Sequence, residues 1–553
     1  MRGHPLQDTD KYRLLLELSA CLAGRIKEGG THSGGMVFGT AEHHLSELVP
    51  LEPSGTEGLL RCQYDKYDLE RVGLPKLDLL GLRMHTALHR AGVLASARLG
   101  HRVDPYDPPP DDKKTYALIR TGLNAGMFQL ESPGQMHLSR RLGPRRLADL
   151  VAQISLFRPG PVRGDLVTPY VMRKNGQEPY SAILPELEEV LRRTYGVLVF
   201  QEQVLEVANA VAGFTLAEGD LLRRAMTKDR GPGAMQDIRR EFLRRARERG
   251  VPAGKADEVF SWMEGFSVYG FSAAHGASFA ELAYASAYMR CHYPAEFFAA
   301  VLDSQPMGFY SPRVLLNEAR RTGLRVLPPD IHLSDEGFTV EEGSALRVGL
   351  RYCKGLSGRA ISSIIAERRK RPFVSVADLY GRTAVEKDSI ENLIRGGFLD
   401  SLSERSRLLG ESAALPKKRR GRQEEIPVEH PASWWVSREM RSVEHLPLTD
   451  TAKEGMEWEV LGLNVHRHPL VPYRGALEEL GVVPSEQIRS LPHGTRASAA
   501  GMIECLQCPP TKSGHSVYFF VVEDEWGMLQ ATSFRPVYER YGDLLHHEGA
   551  FLV

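Results

Sequence analysis

The feature that most constrains the fold is a stretch from about residue 111 to residue 300 whose pattern is mostly helical. Loops rich in glycine and proline interrupt it at Pro133-Gly134, Arg158-Pro159-Gly160-Pro161 and Gly231-Pro232-Gly233. Such loops separate one helix from the next while the helical pattern resumes beyond them. The stretch therefore predicts one large helical domain.

The flanking segments follow other patterns. We predict a helix over 11–27 followed by a strand at 36–38, and a strand passing into a helix over 74–99. Residues 323–355 predict short strands, 356–402 short helical hairpins, and 495–553 a final β-rich unit. The run Lys417–Arg422 is strongly basic and lies between periodic segments, which is typical of a linker.

Composition narrows the class of protein. Of 553 residues, 42% are hydrophobic and 25% charged, which is typical of globular domains and excludes a disordered, collagen-like or coiled-coil chain. The formal net charge is zero, so contact with nucleic acid has to come from local clusters. The sequence has no run of about 18 apolar residues, no apolar signal segment and only six scattered cysteines. We therefore expect a cytoplasmic protein without membrane contact.

Lys76 and Asp78 interrupt an otherwise apolar segment, Leu74–Leu82. In a strand, residues two apart point to the same face of the sheet, so the ammonium and the carboxylate would share one site. Spacing alone favours a structural ion pair or a polar strand end over a functional pair. Both interpretations stay open on these residues alone.

A series of short motifs gives this pair a context. In chain order they are His32-Ser33-Gly34-Gly35, Gln63-Tyr64-Asp65-Lys66, Lys76-Leu77-Asp78-Leu79-Leu80-Gly81-Leu82, Gly126-Met127-Phe128-Gln129-Leu130-Glu131-Ser132, Phe157-Arg158-Pro159-Gly160-Pro161, Phe200-Gln201-Glu202-Gln203-Val204, Leu222-Arg223-Arg224-Ala225-Met226 and Tyr269-Gly270-Phe271-Ser272-Ala273-Ala274-His275. The series resembles that of the bacterial family C DNA polymerases, the alpha subunits of DNA polymerase III, over nearly the whole chain.

The segment Asp303–Tyr310 (DSQPMGFY) is similar to one in the error-prone branch of that family, which is associated with damage-induced mutagenesis and translesion synthesis. A Ser-Gln-Pro-Met-Gly turn is also a helix stop, and the two interpretations are compatible. The resemblance implies a DNA-directed DNA polymerase, a nucleotidyltransferase. Its substrates would be primer–template DNA and deoxynucleoside triphosphates, and its partners other mutagenesis or replisome proteins.

The resemblance also implies an α+β multidomain architecture. The expected regions are the end of a thumb (1–30), the C-terminal part of a palm (31–85), mostly helical fingers (86–325), a small β and helix-hairpin-helix region (326–410), a charged linker (411–455) and an incomplete OB-fold region (456–553).

By this resemblance, Asp78 is catalytic as the third metal-binding carboxylate of the palm, and Lys76 lies beside it on the nucleotide phosphates. Two Mg²⁺ ions need several oxygen ligands, and a single carboxylate does not supply enough of them. The family's other two carboxylates come from a Pro-Asp-x-Asp-x-Asp-Phe segment, which this sequence lacks, and Asp8-Thr9-Asp10 has no flanking apolar strand. We therefore expect a chain truncated at both ends that does not polymerise alone. The alternative is a non-catalytic DNA-binding or scaffold remnant, or one half of a split polymerase.

The expected fingers carry a local positive charge. Residues 221–249 hold ten basic and four acidic side chains, a local charge of +6. Ile238, Phe242 and Ala246 form an apolar stripe at helical spacing, which predicts a basic face that includes Arg239, Arg240 and Arg244 and contacts DNA. A solvated helix face is the alternative.

Three residues of the fingers motifs would bind the nucleotide. The resemblance implies Arg223 and Arg224 on the incoming triphosphate, a task suited to the planar guanidinium. It also places His275 on the nucleotide side of the fingers, with a core or capping histidine as the alternative.

The C-terminal third offers further DNA-binding candidates. Gly396-Gly397-Phe398-Leu399-Asp400 ends a helical pair that is similar to the family's helix-hairpin-helix, although a plain helix C-cap at Gly396 is also compatible. We expect the linker residues Lys417, Lys418 and Arg419 to add charge, and Tyr518 and Trp526 to stack single-stranded bases. Cys505 and Cys508 lack a second ligand pair, so turn-flanking cysteines are favoured over a zinc ribbon.

Overall fold

A computed structural model describes most of the chain. The described residues are 10–25, 30–32, 34–54, 58–79, 81–157, 166–227, 232–267, 271–416, 447–508, 516–546 and 549–553. They fall into two compact units, Met1–Leu82 and Arg83–Val553.

The first unit contains short elements around a small core. They are α1 (Asp10–Leu22), β1 (Gly35–Val37), α2 (Leu45–Leu48), β2 (Leu51–Pro53), β3 (Leu60–Cys62), α3 (Lys66–Arg71) and β4 (Lys76–Asp78). Strand β1 pairs with β4, and β2 with β3, both antiparallel. The core consists of Val49, Leu69 and Leu74, whereas α1 is shorter than the predicted helix and buries none of its residues.

The second unit begins with the predicted helical domain. Its helices are α4 (Arg83–Leu99), α5 (Lys113–Thr121), α6 (Pro133–Leu142), α7 (Leu147–Leu156), α8 (Val167–Lys174), α9 (Glu188–Arg192), α10 (Gln201–Ala212), α11 (Leu216–Thr227), α12 (Pro232–Glu248), α13 (Ala253–Ser267), α14 (Ala273–His292), α15 (Pro294–Asp303) and α16 (Pro312–Arg321). None of the helices among the described residues is long and apolar enough to cross a membrane.

Two of the predicted breaks between helices are confirmed. Pro133 is the first residue of α6, where its fixed φ suits a helix start, and the Ser132 side chain accepts a hydrogen bond from the Gln135 amide. Pro232 likewise begins α12. The third break, Arg158–Pro161, lies outside the described residues.

The loop Ser304–Ser311, which contains the segment similar to the error-prone branch, joins α15 to α16 and so also stops a helix. Glu131 lies beneath it and accepts hydrogen bonds from the amides of Gly126, at 2.9 Å, and Phe309. A side chain at Gly308, whose φ is +73°, would place its Cβ 2.7 Å from Glu131 Oε1. Glycine is therefore needed there both for backbone conformation and for the close approach of the carboxyl group.

Glu131 supplies a pH-dependent test of this anchoring. Burial raises the pKa of Glu131 to about 7, despite the two amide donors and the charge of Arg290. The folded protein thus keeps the proton to higher pH than the unfolded chain, whose carboxyl ionises near its ordinary pKa of 4.5. Stability is therefore expected to fall as pH rises between these two values and to level off above them.

Glu131→Gln should remove the part of the pH dependence of stability that Glu131 causes. As pH rises through this range, the melting temperature of the wild type should therefore fall relative to that of the variant. Melting temperatures of both proteins at about pH 4.5 and about pH 8 measure the difference. The exposed Glu258→Gln is the control, since it should follow the wild type. Parallel behaviour of wild type and Glu131→Gln would contradict the assignment.

The next region combines a small sheet with four helices. Strands β5 (Val326–Leu327), β7 (Ala345–Arg347) and β6 (Thr339–Glu341) lie in that spatial order, followed along the chain by α17 (Gly358–Lys370), α18 (Val376–Arg382), α19 (Lys387–Arg395) and α20 (Arg405–Ala413). The left-handed residue after α19 is Gly397, with φ +82°, whereas Gly396 keeps helical angles. A Cβ at Gly397 would lie 2.5 Å from Arg405 Nη2, so the glycine also makes room for that buried arginine.

The charged linker predicted over 411–455 overlaps regular structure at both ends. Helix α20 continues to Ala413, and α21 (Asp450–Leu461) begins before the predicted boundary because Thr449 caps it. Residues 417–446 lie outside the described part of the chain.

The C-terminal β-rich unit is a four-stranded antiparallel sheet. Helices α22 (Arg474–Glu479) and α23 (Ser485–Ile488) precede β8 (Ala500–Gln507), β9 (Val517–Glu523), β10 (Met528–Phe534), α24 (Arg535–Tyr541) and β11 (Ala550–Leu552). The spatial order of the strands is β10-β9-β8-β11. All four strands lie within residues 495–553, where the sequence predicts a β-rich unit.

Buried charges fix this sheet to α16. Glu523, at the end of β9, forms ion pairs with Arg313 and Arg321 of α16 and accepts a hydrogen bond from Asn317 at 3.1 Å. The ring nitrogen Nε2 of His468 lies 3.1 Å from the same carboxylate. Burial alone would raise the pKa of Glu523, but these partners outweigh it and hold the pKa at about 2. The sheet and α16 are thus joined by a fully paired polar core.

Candidate functional site

Lys76 and Asp78 are brought together on β4, as the spacing predicts. The antiparallel pairing with β1 sets Val37 opposite Lys76 and Gly35 opposite Asp78. The Lys76 ammonium donates to Asp78 Oδ1 in a short ion pair. The Asp78 carboxylate is exposed, with 58% of its side-chain surface accessible, against 25% for Lys76. The pair is therefore a surface feature that a ligand can reach.

The glycines of the His32–Gly35 motif shape the backbone beside this pair. His32 Nδ1 accepts hydrogen bonds from the amides of Gly34 and Gly35 and lies 3.9 Å from Asp78 Oδ1. A Cβ at Gly34 would lie 2.6 Å from the Leu79 carbonyl oxygen, and one at Gly35 would lie 2.9 Å from His32 Nδ1. Only glycine lets the chain pass this close to both β4 and the imidazole.

Asp78 is ionised at neutral pH. The hydrogen bond from Lys76 is the main cause that lowers the pKa of Asp78, and the charges of Lys76 and His32 lower it further. Sequence reasoning used the histidine only as part of a motif and missed its contact with Asp78. Its position before two glycines was the available signal, because paired glycines indicate a close backbone approach.

Asp78 supplies only part of a binding site for a divalent cation. An exposed, ionised carboxylate is a suitable hard ligand for Mg²⁺. Among the described residues, however, three metal-ligating side chains converge only at Asp112, Cys291 and His292, in the other unit. The described residues therefore do not by themselves form a two-metal centre at Asp78.

The Asp112, Cys291 and His292 cluster has a structural explanation. Asp112 caps α5 by accepting from the amide and hydroxyl of Thr115, and His292 Nε2 lies 3.0 Å from the same oxygen. All three contacts go to Asp112 Oδ1, so the cluster ties α14 to the start of α5.

The predicted nucleotide-binding residues lie in the second unit. Arg223 and Arg224 belong to α11 and follow the buried Leu222, but their side chains lie outside the described part. His275 is exposed near the start of α14, with its ring centroid 5.0 Å from that of Phe271 and 4.1 Å from that of Phe279. It is therefore neither buried in the core nor the N-cap residue, which is Ser272.

The basic face of α12 is largely neutralised. Phe242 and Ala246 are fully buried, which confirms the apolar stripe. Arg239 pairs with Asp257, Arg240 with Asp237 and Arg244 with both Glu241 and Glu248. Two of the acidic partners lie on neighbouring helices: Asp257, which pairs with Arg239, and Glu218, which pairs with Arg245. Both lie outside residues 221–249, so the local charge of +6 did not include them. These ion pairs favour the alternative, a solvated helix face, and DNA contact by Arg239, Arg240 and Arg244 stays a prediction.

Both of the predicted stacking residues in the C-terminal third contact other side chains of the protein. Tyr518 stacks on Tyr538, with ring centroids 3.3 Å apart, and the Arg474 guanidinium lies 4.5 Å from the ring centroid of Trp526. Trp526 is still 40% exposed, so its ring can be reached by a ligand. Lys417, Lys418 and Arg419 lie outside the described residues.

Cys505 does not flank a turn as expected, whereas Cys508 directly follows Gln507, the last residue of β8. Cys505 lies within β8, with φ +57° at the irregularity of its pairing with β9, and donates to the Phe309 carbonyl oxygen at 3.2 Å. Burial raises the pKa of its thiol to about 12.

Comparison with known families assigns three stretches of the chain. Residues 4–81 match the bacterial DNA polymerase III alpha NTPase domain, and residues 84–250 match the bacterial DNA polymerase III alpha subunit finger domain. Residues 323–409 match a helix-hairpin-helix motif, which covers the small sheet and the helices α17 to α19.

Whole proteins are similar over almost the full chain. The error-prone DNA polymerase of Symbiobacterium thermophilum is 38% identical over 97% of this chain and 52% of its own length. The error-prone DNA polymerase of Methylococcus capsulatus is 36% identical over 94% of this chain and 50% of its own length. The DNA polymerase III subunit alpha of Thermus aquaticus is 36% identical over 99% of this chain and 45% of its own length. The chain spans about half the length of the curated relatives it matches.

Proposed function

The chain belongs to the bacterial family C DNA polymerases, in the error-prone branch of the DNA polymerase III alpha subunit family, and from that premise we propose that it takes part in translesion DNA synthesis. Its proposed substrates are primer–template DNA and deoxynucleoside triphosphates. The observation that carries the proposal is the accessible Lys76–Asp78 pair, inside the stretch that matches the alpha NTPase domain.

The pair offers the two kinds of group that phosphoryl transfer needs. A carboxylate held ionised is a ligand for a divalent cation, and an ammonium neutralises charge on phosphate oxygens. We assign these roles to Asp78 and Lys76 of a partial palm. The hydrogen bonds of His32 to the backbone amides of Gly34 and Gly35 would keep the strand beside Asp78 in place.

Mg²⁺ is the proposed cofactor, although the described residues supply one carboxylate where a two-metal centre requires several ligands. The other ligands would come from outside the described residues. This shortage favours a second candidate function, that of a DNA-binding scaffold without catalysis of its own. Primer extension with Mg²⁺ separates the two functions, because a scaffold binds primer–template without extending it.

In the fingers, we assign Arg223 and Arg224 to the incoming triphosphate and the exposed His275 to the nucleotide side. The C-terminal sheet is proposed to be the OB-fold of the family, with Trp526 as its accessible stacking residue. Arg224→Ala should raise the nucleotide KM or lower kcat, because it deletes a cation from the triphosphate. Steady-state kinetics under varied nucleotide concentration, in a preparation whose wild-type form extends primers, measure the effect.

Arg192→Ala is the control for this test. Arg192 is an exposed arginine of the same unit whose ion pairs are with Glu188 and Glu189, so nucleotide kinetics should not change. If Arg224→Ala weakens primer–template binding and leaves nucleotide kinetics unaltered, the arginine contacts the DNA backbone and the assignment is wrong.

A further inference from the structure

A group of basic side chains around α6 differs from the α12 face in having few acidic partners. It comprises His137, Arg140, Arg141, Arg145, Arg146 and Arg489, and we call it the basic cluster. All six residues are exposed. Five come from α6 and the loop that follows it, and Arg489 comes from the residues just after α23.

The members of the cluster are close enough to act on one another. Partial burial and the charge of Arg489 lower the pKa of Arg140, and partial burial and the charges of Arg141 and Arg140 lower the pKa of His137. Arg140 is held by a hydrogen bond from its Nε to the Thr121 carbonyl oxygen at 2.9 Å. The positive charges thus repel one another, and together they attract an anion more strongly than a single cation would.

Among the residues that the structure describes, one carboxylate, that of Asp149, pairs with a member of the cluster. Asp149 is buried and pairs with Arg146 at 3.6 Å and with Lys174 at 3.4 Å. The side chains of Arg141 and Arg145 make no ion pair or hydrogen bond with any part of the chain that the structure describes. On α12, in contrast, Arg239, Arg240 and Arg244 each meet a carboxylate.

The relative position of the two parts of the cluster is fixed by the fold. The Arg489 guanidinium donates to the Met528 carbonyl oxygen of β10, and the amide and hydroxyl of Ser485 in α23 bond to Asp524. That sheet is joined to the helical domain by the buried ion pairs of Glu523 with α16. Arg489 is therefore presented to α6 by rigid elements, which suits a preorganised surface.

We propose that the basic cluster binds the phosphate backbone of DNA. Five of its six members are arginines, whose planar guanidinium groups match phosphate oxygens in pairs. Exposed cations that bond to phosphates position a nucleic acid without reading its sequence. The inference rests on the proposed function for the identity of the polyanion, and it moves the expected contact surface from α12 to α6.

The test is DNA binding by Arg141→Ala/Arg145→Ala in the whole chain. These two side chains have no described partners, so their removal should leave the melting temperature unchanged. Affinity for a labelled oligothymidine and for a primer–template duplex is measured by filter binding at several salt concentrations. We expect affinity about tenfold or more weaker, and a salt slope less steep by about 1.4 on the single strand or about 1.8 on the duplex, for two lost phosphate contacts.

The double variant Arg192→Ala/Arg193→Ala is the matched control. It removes two exposed arginines of the same unit, but these pair with Glu189 and Glu206, so binding should stay at the wild-type level. The probe that shows the larger loss identifies whether single-stranded or duplex DNA lies on the cluster.

Three outcomes would overturn the inference. An equal loss in the control would mean that general charge drives binding. Wild-type affinity and salt slope in Arg141→Ala/Arg145→Ala would overturn the cluster while leaving the proposed function intact. Absence of DNA binding by the wild-type chain would overturn both.

Discussion

Asp78→Asn should lower the rate of primer extension by about a thousandfold or more. Loss of a metal ligand forfeits several kcal/mol of transition-state stabilisation, and about 1.4 kcal/mol corresponds to a factor of ten in rate. Asparagine keeps the size of the side chain and an acceptor for Lys76, so the β1–β4 pairing should persist. The measurement is single-turnover extension with saturating Mg²⁺, in a preparation whose wild-type form extends primers.

Affinity for primer–template should be nearly unchanged in the same variant, since an acidic side chain does not attract the DNA backbone. Asp68→Asn is the control: Asp68 is a half-buried carboxylate of the same unit that pairs with Arg71, and its loss should not affect extension. Extension by Asp78→Asn at the wild-type rate would remove Asp78 from the proposed site. A comparable loss in Asp68→Asn would point to unfolding of the first unit instead.

Glu523→Gln should destabilise the second unit by about 3–5 kcal/mol, because it leaves Arg313 and Arg321 buried without their shared carboxylate. The remaining acidic partners, Glu504 and Glu318, compensate only in part. Urea unfolding followed by circular dichroism, together with limited proteolysis of the C-terminal sheet, measures the loss. Early release of the sheet is expected, since Glu523 joins β9 to α16.

The control for this variant is Glu539→Gln, which breaks an exposed i,i+4 pair with Arg535 on α24 and should cost less than about 1 kcal/mol.

The wild type should also lose stability as pH falls from about 4.5, the ordinary pKa, to about 2, the folded pKa, because Glu523 is then protonated. A Glu523→Gln protein as stable as the wild type would show that the polar core contributes no net stability.

The sequence predicted the elements of the fold well where local chemistry decides them. The sequence predicted breaks in the helical pattern at Pro133 and Pro232, and helices begin at both residues because proline's fixed φ suits a first turn. It also predicted a β-rich unit over 495–553, where the C-terminal sheet lies. Ion pairs between helices carry no such local signal. The acidic partners Asp257 and Glu218 lie 18 and 27 residues from the arginines that they neutralise, so a count over one segment overestimated the charge of α12.

For the candidate site, the sequence by itself determined that Lys76 and Asp78 share one face, because residues two apart in a strand point the same way. Only the tertiary structure decided that His32 lies beside Asp78, that Glu131 holds the Ser304–Ser311 loop, and that the charge of Arg489 acts on Arg140. Each of these interactions joins segments separated by tens to hundreds of residues. Their energies depend on burial and distance, which the folded chain sets and a sequence pattern does not contain.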